Sequence, residues 1–170
     1  VIANLASVFS GEEVSPNDDV NMSQSSNDVI PTAIKISAHM DLTKKLYPNL
    51  ENLINAIDKK AVSVRGIIKT GRTHLMDAMP IDLADELSAW SSQLKTSLKA
   101  LKFIEARLLE LPQGGTAVGT GINAHKRFAK VFAQEISKLS GNKYRSDASD
   151  NFFHELSSQD TACLLYTSPS

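Results

Sequence analysis

The sequence predicts an all-α protein, a bundle of long helices. Apolar residues recur every three or four positions over two long stretches, as they do on the buried face of a bundle helix. The first stripe is Leu46, Leu50, Leu53, Ile57, Ala61, Val64 and Ile68; the second is Leu83, Leu87, Trp90, Leu94, Leu98, Leu101, Ile104, Leu108 and Leu111. No segment shows the sustained alternation of apolar and polar residues that is typical of a half-buried strand.

Length and composition limit the class of protein. The chain has 170 residues, of which 42% are hydrophobic and 22% charged, as expected for one globular domain. The formal net charge of -1 argues against a nucleic acid or a membrane surface as an electrostatic partner. No apolar run approaches the ~20 residues of a membrane span. The single cysteine, Cys163, excludes an internal disulfide framework and favours an intracellular setting.

The first segment, Val1 to Phe9, is predicted to be the tail of a helix that ends at Gly11. A domain rarely starts within a helix, so we expect the natural N-terminus to lie further upstream. A turn-rich loop follows at Ser15–Asp19, and its acids suit a solvated turn.

Ser25, Ser26 and Asn27 form the turn before the next helix, where short polar side chains cap the unpaired first N–H groups. This helix is expected to run from about Ile30 to Ile68, with Pro31 in its first turn. Pro48 removes an interior hydrogen bond, which predicts a kink or break near residues 44–47.

Residues 69–80 interrupt the helical pattern. A second long helix is predicted from about Asp82, a suitable N-cap, to Leu111. The glycine-rich loop 114–121 has neither a preceding strand nor a terminal Lys-Ser/Thr, which excludes a phosphate-binding loop. Further helices are predicted at 124–139, stopped by Gly141, and at 151–161. Residues 163–170 abandon the pattern, and we expect them to be a foreign or misjoined tail after a domain at 1–162.

Three loops at helix ends could carry chemistry: residues 23–27, 71–77 and 114–121. A helix N-terminus with hydroxyl and amide donors, such as Ser25–Asn27, is suited to an anion. Helices of ~30 residues are ~45 Å long, so loops at opposite ends of a bundle could meet only across subunits. Any active-site hypothesis therefore includes oligomerisation.

His74 is the strongest acid–base candidate, because imidazole alone titrates near neutrality without perturbation. Arg72, Thr73 and Asp77 crowd the same irregular loop. The other histidines, at positions 39, 125 and 154, fall within predicted helices, where surface placement explains them. No His, Cys and carboxylate cluster with metal-ligand spacing is present, so no metal site is predicted.

Three motifs together resemble class II fumarate hydratase, of the fumarase/aspartase superfamily. They are Val-Asn-Met-Ser-Gln-Ser-Ser-Asn-Asp at 20–28, Gly-Arg-Thr-His-Leu-Met-Asp-Ala at 71–78, and Gly-Gly-Thr-Ala-Val-Gly-Thr-Gly-Ile-Asn at 114–123. The resemblance runs in order from Val1 to about Ala162. His74 and the Ser25-Ser26 pair resemble fumarases, since aspartases typically carry glutamine and a Ser-Thr pair there.

The resemblance implies the first part of the central helical domain of this fold, with a homotetramer whose active sites are each assembled from three subunits. It implies reversible hydration of fumarate to (S)-malate, a step of the tricarboxylic acid cycle, without metal or organic cofactor. Ser25, Ser26 and Asn27 match residues that bind the substrate carboxylate, Thr73 matches a further binding residue, and His74 matches the catalytic histidine.

Two departures from the family follow. Its mobile serine- and lysine-bearing loop is absent, so we expect this chain to be an internal fragment that is inactive alone. An accessory anion site is implied at Asn17 and Asp18, although Ser15 stands where the family has histidine. We expect a cytoplasmic protein, or a mitochondrial one if the source is eukaryotic. The alternatives are an aspartate ammonia-lyase-like enzyme and a non-catalytic helical scaffold.

Overall fold

The structure is a computed structural model, and it describes residues 1–146, 151–157 and 163. Six α-helices, two π-helical turns and one β-hairpin make up the regular elements of the described residues, so the prediction of an all-α bundle class with long helices is confirmed apart from the hairpin. The helices are α1 (Ile2–Ser10), α2 (Ser26–Asp41), α3 (Tyr47–Ser63), α4 (Leu83–Leu108), α5 (Phe128–Ser140) and α6 (Asn151–Ser157); the strands are β1 (Ile68–Thr73) and β2 (Met76–Asp82).

The chain forms two compact units. Unit 1 comprises residues 1–38 and 106–164, and unit 2 comprises residues 39–105 and 165–170. Within unit 1, buried apolar side chains come from α4, α5 and α6 and from the segments between these helices. These residues are Leu108, Leu111, Ala129, Ala133, Tyr144 and Phe152.

Three helix ends lie where the sequence predicts them, whereas α3 ends at Ser63, before the expected Ile68. Gly11 and Gly141 adopt left-handed conformations, with φ of 74° and 73°, and terminate α1 and α5 as C-cap residues. Asp82 caps α4: its Oδ1 accepts from the Ala84 N–H at 2.8 Å. Helix α5 begins at Phe128, four residues later than expected, and α6 is described only as far as Ser157.

The two prolines of the first long helix act differently. Helix α2 starts at Ser26, so Pro31 lies in its second turn, and the prediction of a first-turn position was wrong. The predicted irregularity at Pro48 is confirmed as a π-helical turn, Leu42–Leu46, that joins α2 to α3 without a break. A wider turn accommodates the missing proline N–H, because its hydrogen-bonding pattern is already shifted by one residue.

Residues 68–82 form an antiparallel hairpin where the sequence predicted an irregular loop, and this is a correction. The register pairs Ile68 with Asp82 and Thr73 with Met76, with a shift between Thr70 and Arg72. Its side chains are almost all exposed, so neither strand shows the apolar alternation by which strands are recognised. Below the hairpin, Ala61, Val64 and Ala84 are buried together, with Leu83 and Leu87 packed against them.

Candidate functional site

The turn before α2 is a helix cap, as predicted. The Asn27 N–H donates to Ser25 Oγ at 3.2 Å, and the Ser25 N–H donates to Asp28 Oδ1 at 2.9 Å. The bond to Asp28 is one half of a capping box, in which an acidic residue three positions after the N-cap accepts from the N-cap N–H; Ser25 Oγ accepts from the second residue of the helix instead of the third. Ser25 is half-buried, whereas Ser26 and Asn27 are exposed.

Asp28 also connects this turn to the glycine-rich loop. Its Oδ2 accepts from the Gly114 N–H at 3.0 Å and from the Thr116 N–H at 2.9 Å, and its side chain is fully buried. Asn27 Nδ2 donates to the Ala117 carbonyl at 2.8 Å. Two of the three predicted loops are therefore brought together within unit 1.

A small pocket lies where these two loops meet. Its volume is about 260 Å³, a size suited to a small organic acid. Polar and apolar side chains from both loops line it: Ser23, Gln24, Ser25, Thr116, Ala117, Ile122 and Asn123. Ser25 thus borders a cavity of ligand size, whereas Ser26 and Asn27 line a separate one together with Ile30, Pro31, Ile34 and Leu156.

His74 lies at the tip of the hairpin in unit 2. His74 and Leu75 are the two residues of the tight turn, with positive φ of 50° and 62°. Positive φ at both central residues defines the type I′ turn, which glycine and asparagine normally occupy. Two L-residues with side chains in this conformation are strained, and such strain is concentrated at functional sites.

The rest of the hairpin fixes the position of that tip. A Cβ atom on Gly71 would lie 2.7 Å from the Met79 carbonyl oxygen, so only glycine fits where the register shifts. Arg72 Nε lies 3.1 Å from Asp77 Oδ1 across the hairpin. Both side chains are largely exposed, so this ion pair adds little stability.

The predicted site residues therefore form two groups, each described within its own unit. Ser25, Ser26 and Asn27 belong to unit 1, and Thr73 and His74 belong to unit 2. One group offers donors for an anion beside a pocket, and the other offers an exposed imidazole on a strained turn. Binding of a carboxylate and transfer of a proton are the chemistries available to them.

Comparison with known proteins shows where this arrangement belongs. The family described as Lyase matches residues 1–168. The chain belongs to the lyase family. Class II fumarate hydratases are among its relatives: those of Pseudomonas aeruginosa and Bacillus subtilis are 48% and 44% identical to it, over 95% and 94% of this chain. The resemblance to class II fumarate hydratase is confirmed.

A solved lyase has the same fold. The class II fumarase from Schistosoma mansoni superposes with a TM-score of 0.84 at 32% identity, over 94% of this chain and 37% of that protein. The chain spans 35% of the length of the P. aeruginosa and B. subtilis relatives.

The accessory anion site predicted at Asn17 and Asp18 stays a prediction. Both residues lie exposed in a π-helical turn, Pro16–Val20. Ser15 caps that turn: its Oγ accepts from the Asp18 N–H at 3.1 Å and donates to Asp18 Oδ2 at 3.0 Å. The Asp18 carboxylate thus has a local partner, as in an ordinary solvated turn.

The predictions for two of the remaining three histidines were wrong. His39 was expected at the surface, yet it is buried, with Nε2 3.4 Å from Glu105 Oε1. The helical stripe pattern missed it because a charged partner on α4 offsets the cost of burying a polar ring. His125 precedes α5 instead of lying within it, and its Nδ1 accepts from the Arg127 N–H at 3.2 Å. His154 is exposed on α6, as expected.

Sequence reasoning also missed Asp28 as a site residue. The signal was present, because a serine followed three residues later by an acid is the capping-box pattern. Among the described residues, no group of three or more His, Cys, Asp or Glu side chains could hold a metal ion. No helix within the described ranges is long and apolar enough to cross a membrane. The predicted tail, 163–170, lies outside the described residues except for the exposed Cys163.

Proposed function

We propose that the protein carrying this chain is a fumarate hydratase that interconverts fumarate and (S)-malate in the tricarboxylic acid cycle. The observation that carries the proposal is His74 at a strained two-residue turn, inside the motif at 71–78 that resembles class II fumarate hydratases. The relatives' names support the substrate, a dicarboxylate.

The proposed binding residues suit a dianion. Ser25, Ser26 and Asn27 combine hydroxyl and amide donors with the positive end of α2. Thr73, next to the acid–base group, adds a further hydroxyl. A protein of formal net charge -1 needs such local donors, because its overall charge does not attract a dianion.

The proposed chemistry is addition of water across the double bond. Hydroxide bonds to one olefinic carbon and a proton to the other, while negative charge builds on the carboxylate next to the protonated carbon. Preorganised donors lower the free energy of that charged intermediate. In the reverse direction hydroxide is a poor leaving group, and His74 would protonate it directly or through one water.

We further propose a cytoplasmic homotetramer whose active sites are shared between subunits. The two groups of candidate residues belong to separate compact units, which is compatible with a site completed by another copy of the chain. The accessory role of Asn17 and Asp18 belongs to the same proposal.

The test uses a full-length protein. In a chimera, the matching part of this chain replaces the corresponding segment of the P. aeruginosa relative. We expect the purified chimera to consume fumarate, followed by ultraviolet absorbance, and to form malate without added ammonia. Consumption that requires ammonia would instead indicate an ammonia-lyase. A folded chimera that is inactive with either would indicate a helical scaffold.

A further inference from the structure

Asp28 is a fully buried acid that the proposed chemistry does not use. Its two oxygens accept three backbone hydrogen bonds, from the N–H groups of Ser25, Gly114 and Thr116, at 2.9 to 3.0 Å. A buried carboxylate is costly unless hydrogen bonds replace its lost hydration. Bonds between a charged acceptor and neutral donors are also stronger than neutral ones. These three bonds therefore hold two distant parts of the chain together.

The segments that Asp28 joins both line the pocket. Ser25 belongs to one segment, and Thr116 and Ala117 belong to the other. Thr116 has a positive φ of 58°, so the loop is held in a conformation that it would not adopt freely. On Gly114, a Cβ atom would lie 2.6 Å from Ala129 Cβ, which leaves the loop no space to move towards α5. The Asp28 hydrogen bonds thus hold the two segments that line the pocket against each other.

The sign of the charge supports a positioning role over a binding one. Asp28 lies in the first turn of α2, beside the residues proposed to bind a carboxylate. A negative charge there repels an anionic ligand, so its direct electrostatic effect is to weaken substrate binding. The geometry it imposes on Ser25 and Asn27 must outweigh that repulsion.

We infer that Asp28 is a positioning residue of the substrate site. Its carboxylate clamps Gly114 and Thr116 against the Ser25 turn, so that the Ser25 hydroxyl is held in place beside the pocket that receives a substrate carboxylate. This inference rests on the proposed function.

The first test compares Asp28→Asn with the unsubstituted chimera. An asparagine of the same shape accepts through one oxygen and turns an NH₂ group towards backbone N–H donors. We expect KM for fumarate to rise at least about 10-fold, with a smaller change in kcat. The pH dependence of kcat, which His74 is proposed to control, should be unchanged.

Ser146→Ala is the matched control. Ser146 is also buried, and its single hydroxyl proton is shared between the carbonyls of Leu111 and Gln113, whose oxygens lie 2.9 and 2.7 Å from Oγ. It therefore secures the segment leading into the same loop without contacting the Ser25 turn. We expect it to lower the melting temperature and leave KM unchanged. If Asp28→Asn loses stability to a similar degree and keeps its KM, Asp28 is only structural and the inference is wrong.

Hydrogen exchange keeps the inference testable if Asp28→Asn does not fold. In the unsubstituted chimera, saturating (S)-malate should slow amide exchange in residues 114–121 as well as in residues 23–29. Exchange in residues 137–144 should not change. Protection confined to residues 23–29 would overturn the clamp. An unsubstituted chimera that forms no malate would overturn the proposed function itself, and this inference with it.

Discussion

At the residue scale, Lys35 and Glu155 form a buried ion pair. Lys35 is almost completely buried on α2, and its Nζ pairs with the Glu155 carboxylate of α6. The same Nζ donates to the Glu110 carbonyl at 2.9 Å. A buried pair of this kind stabilises a fold little compared with an apolar substitute, but the loss of one partner leaves an uncompensated charge.

Replacing one partner of this pair should therefore be costly. We expect Lys35→Met or Glu155→Met to lower the free energy of opening of α6 by about 3–5 kcal/mol. The double variant should recover part of that loss, because neither charge is then left alone. Amide exchange in α6 of the chimera measures this. The exposed pair of Lys138 and Glu135 provides the control: Lys138→Met should change stability by less than about 1 kcal/mol. Additive effects at positions 35 and 155 would contradict the account.

The Asp82 carboxylate makes the stability of the fold depend on pH in the acidic range. Hydrogen bonds from the Ala84 and Gly66 N–H groups hold the pKa of Asp82 below its usual value. A depressed folded-state pKa stabilises the fold above the unfolded-state value of about 3.9, and this contribution is lost as pH falls through the folded-state value.

Asp82→Ser tests this linkage, because serine can cap α4 without a charge. We expect the variant's melting temperature to fall less steeply than that of the original chimera below about pH 4. Melting curves at a series of pH values would reveal the difference. Parallel pH profiles would show that Asp82 contributes through its shape alone.

Local sequence patterns predicted the residues whose role depends on residues nearby along the chain. Ser25 as a cap, Gly11 and Gly141 as helix stops, and Asp82 as a helix start are all decided within four residues along the chain. Lys35 and His39 were missed, because their partners are contributed by segments that lie far away in sequence. Asp28 has a local partner in Ser25, but its bonds to Gly114 and Thr116 come from a distant segment and could not be predicted. Burial of a polar side chain depends on that tertiary partner, which a periodic pattern does not encode.

At the element scale, the hairpin is strained at its tip. Its two-residue turn places His74 and Leu75 in left-handed conformations, and Leu75 is 98% exposed, so burial does not repay the strain. The proposed acid–base group thus lies on a turn whose backbone conformation is unfavourable for the two residues that form it.

Two substitutions in the hairpin should have opposite effects. Leu75→Gly removes a left-handed side chain and should stabilise the hairpin by up to about 1 kcal/mol. Gly71→Ala introduces a Cβ atom 2.7 Å from the Met79 oxygen and should destabilise it by about 1–3 kcal/mol. Amide exchange in residues 68–82 of the chimera would report both effects. Equal signs for the two changes would refute the strain argument.

Most elements could be predicted from the sequence, because their periodicity is long and their caps are local. The hairpin could not, since its residues are exposed and its strands carry Gly71 at the register shift and Pro80 within β2. Neither residue favours a strand in isolation. The π-helical turn before Pro48 could be located but not classified, because a missing donor predicts an irregularity and not its form.

At the scale of the whole molecule, apolar side chains remain exposed along the hairpin. Leu75, Met76 and Met79 are each at least 70% exposed, and Trp90 on α4 is half-exposed. Large apolar side chains that are exposed together on one element often mark an interface. In the proposed tetramer, other copies of the chain would cover it.

The chain should therefore associate with itself. We expect the purified chain to elute as a species larger than a monomer, or to have poor solubility. The double substitution Met76→Lys and Met79→Lys should shift it towards smaller species. A monodisperse monomer that melts cooperatively would contradict this expectation.

The fold class and family could be predicted from the sequence. The surface that covers the exposed apolar side chains could not, because it depends on contacts between copies of the chain.

The most direct test of the account is the effect of His74→Asn on hydration of fumarate by the chimera. We predict that kcat falls by about 10²-fold or more, because a general acid–base is lost while shape is retained. His125→Asn, at an exposed loop histidine, should leave the rate unchanged. A His74→Asn chimera that turns over fumarate at the original rate would remove His74 from the mechanism and contradict the proposed function of the hairpin tip.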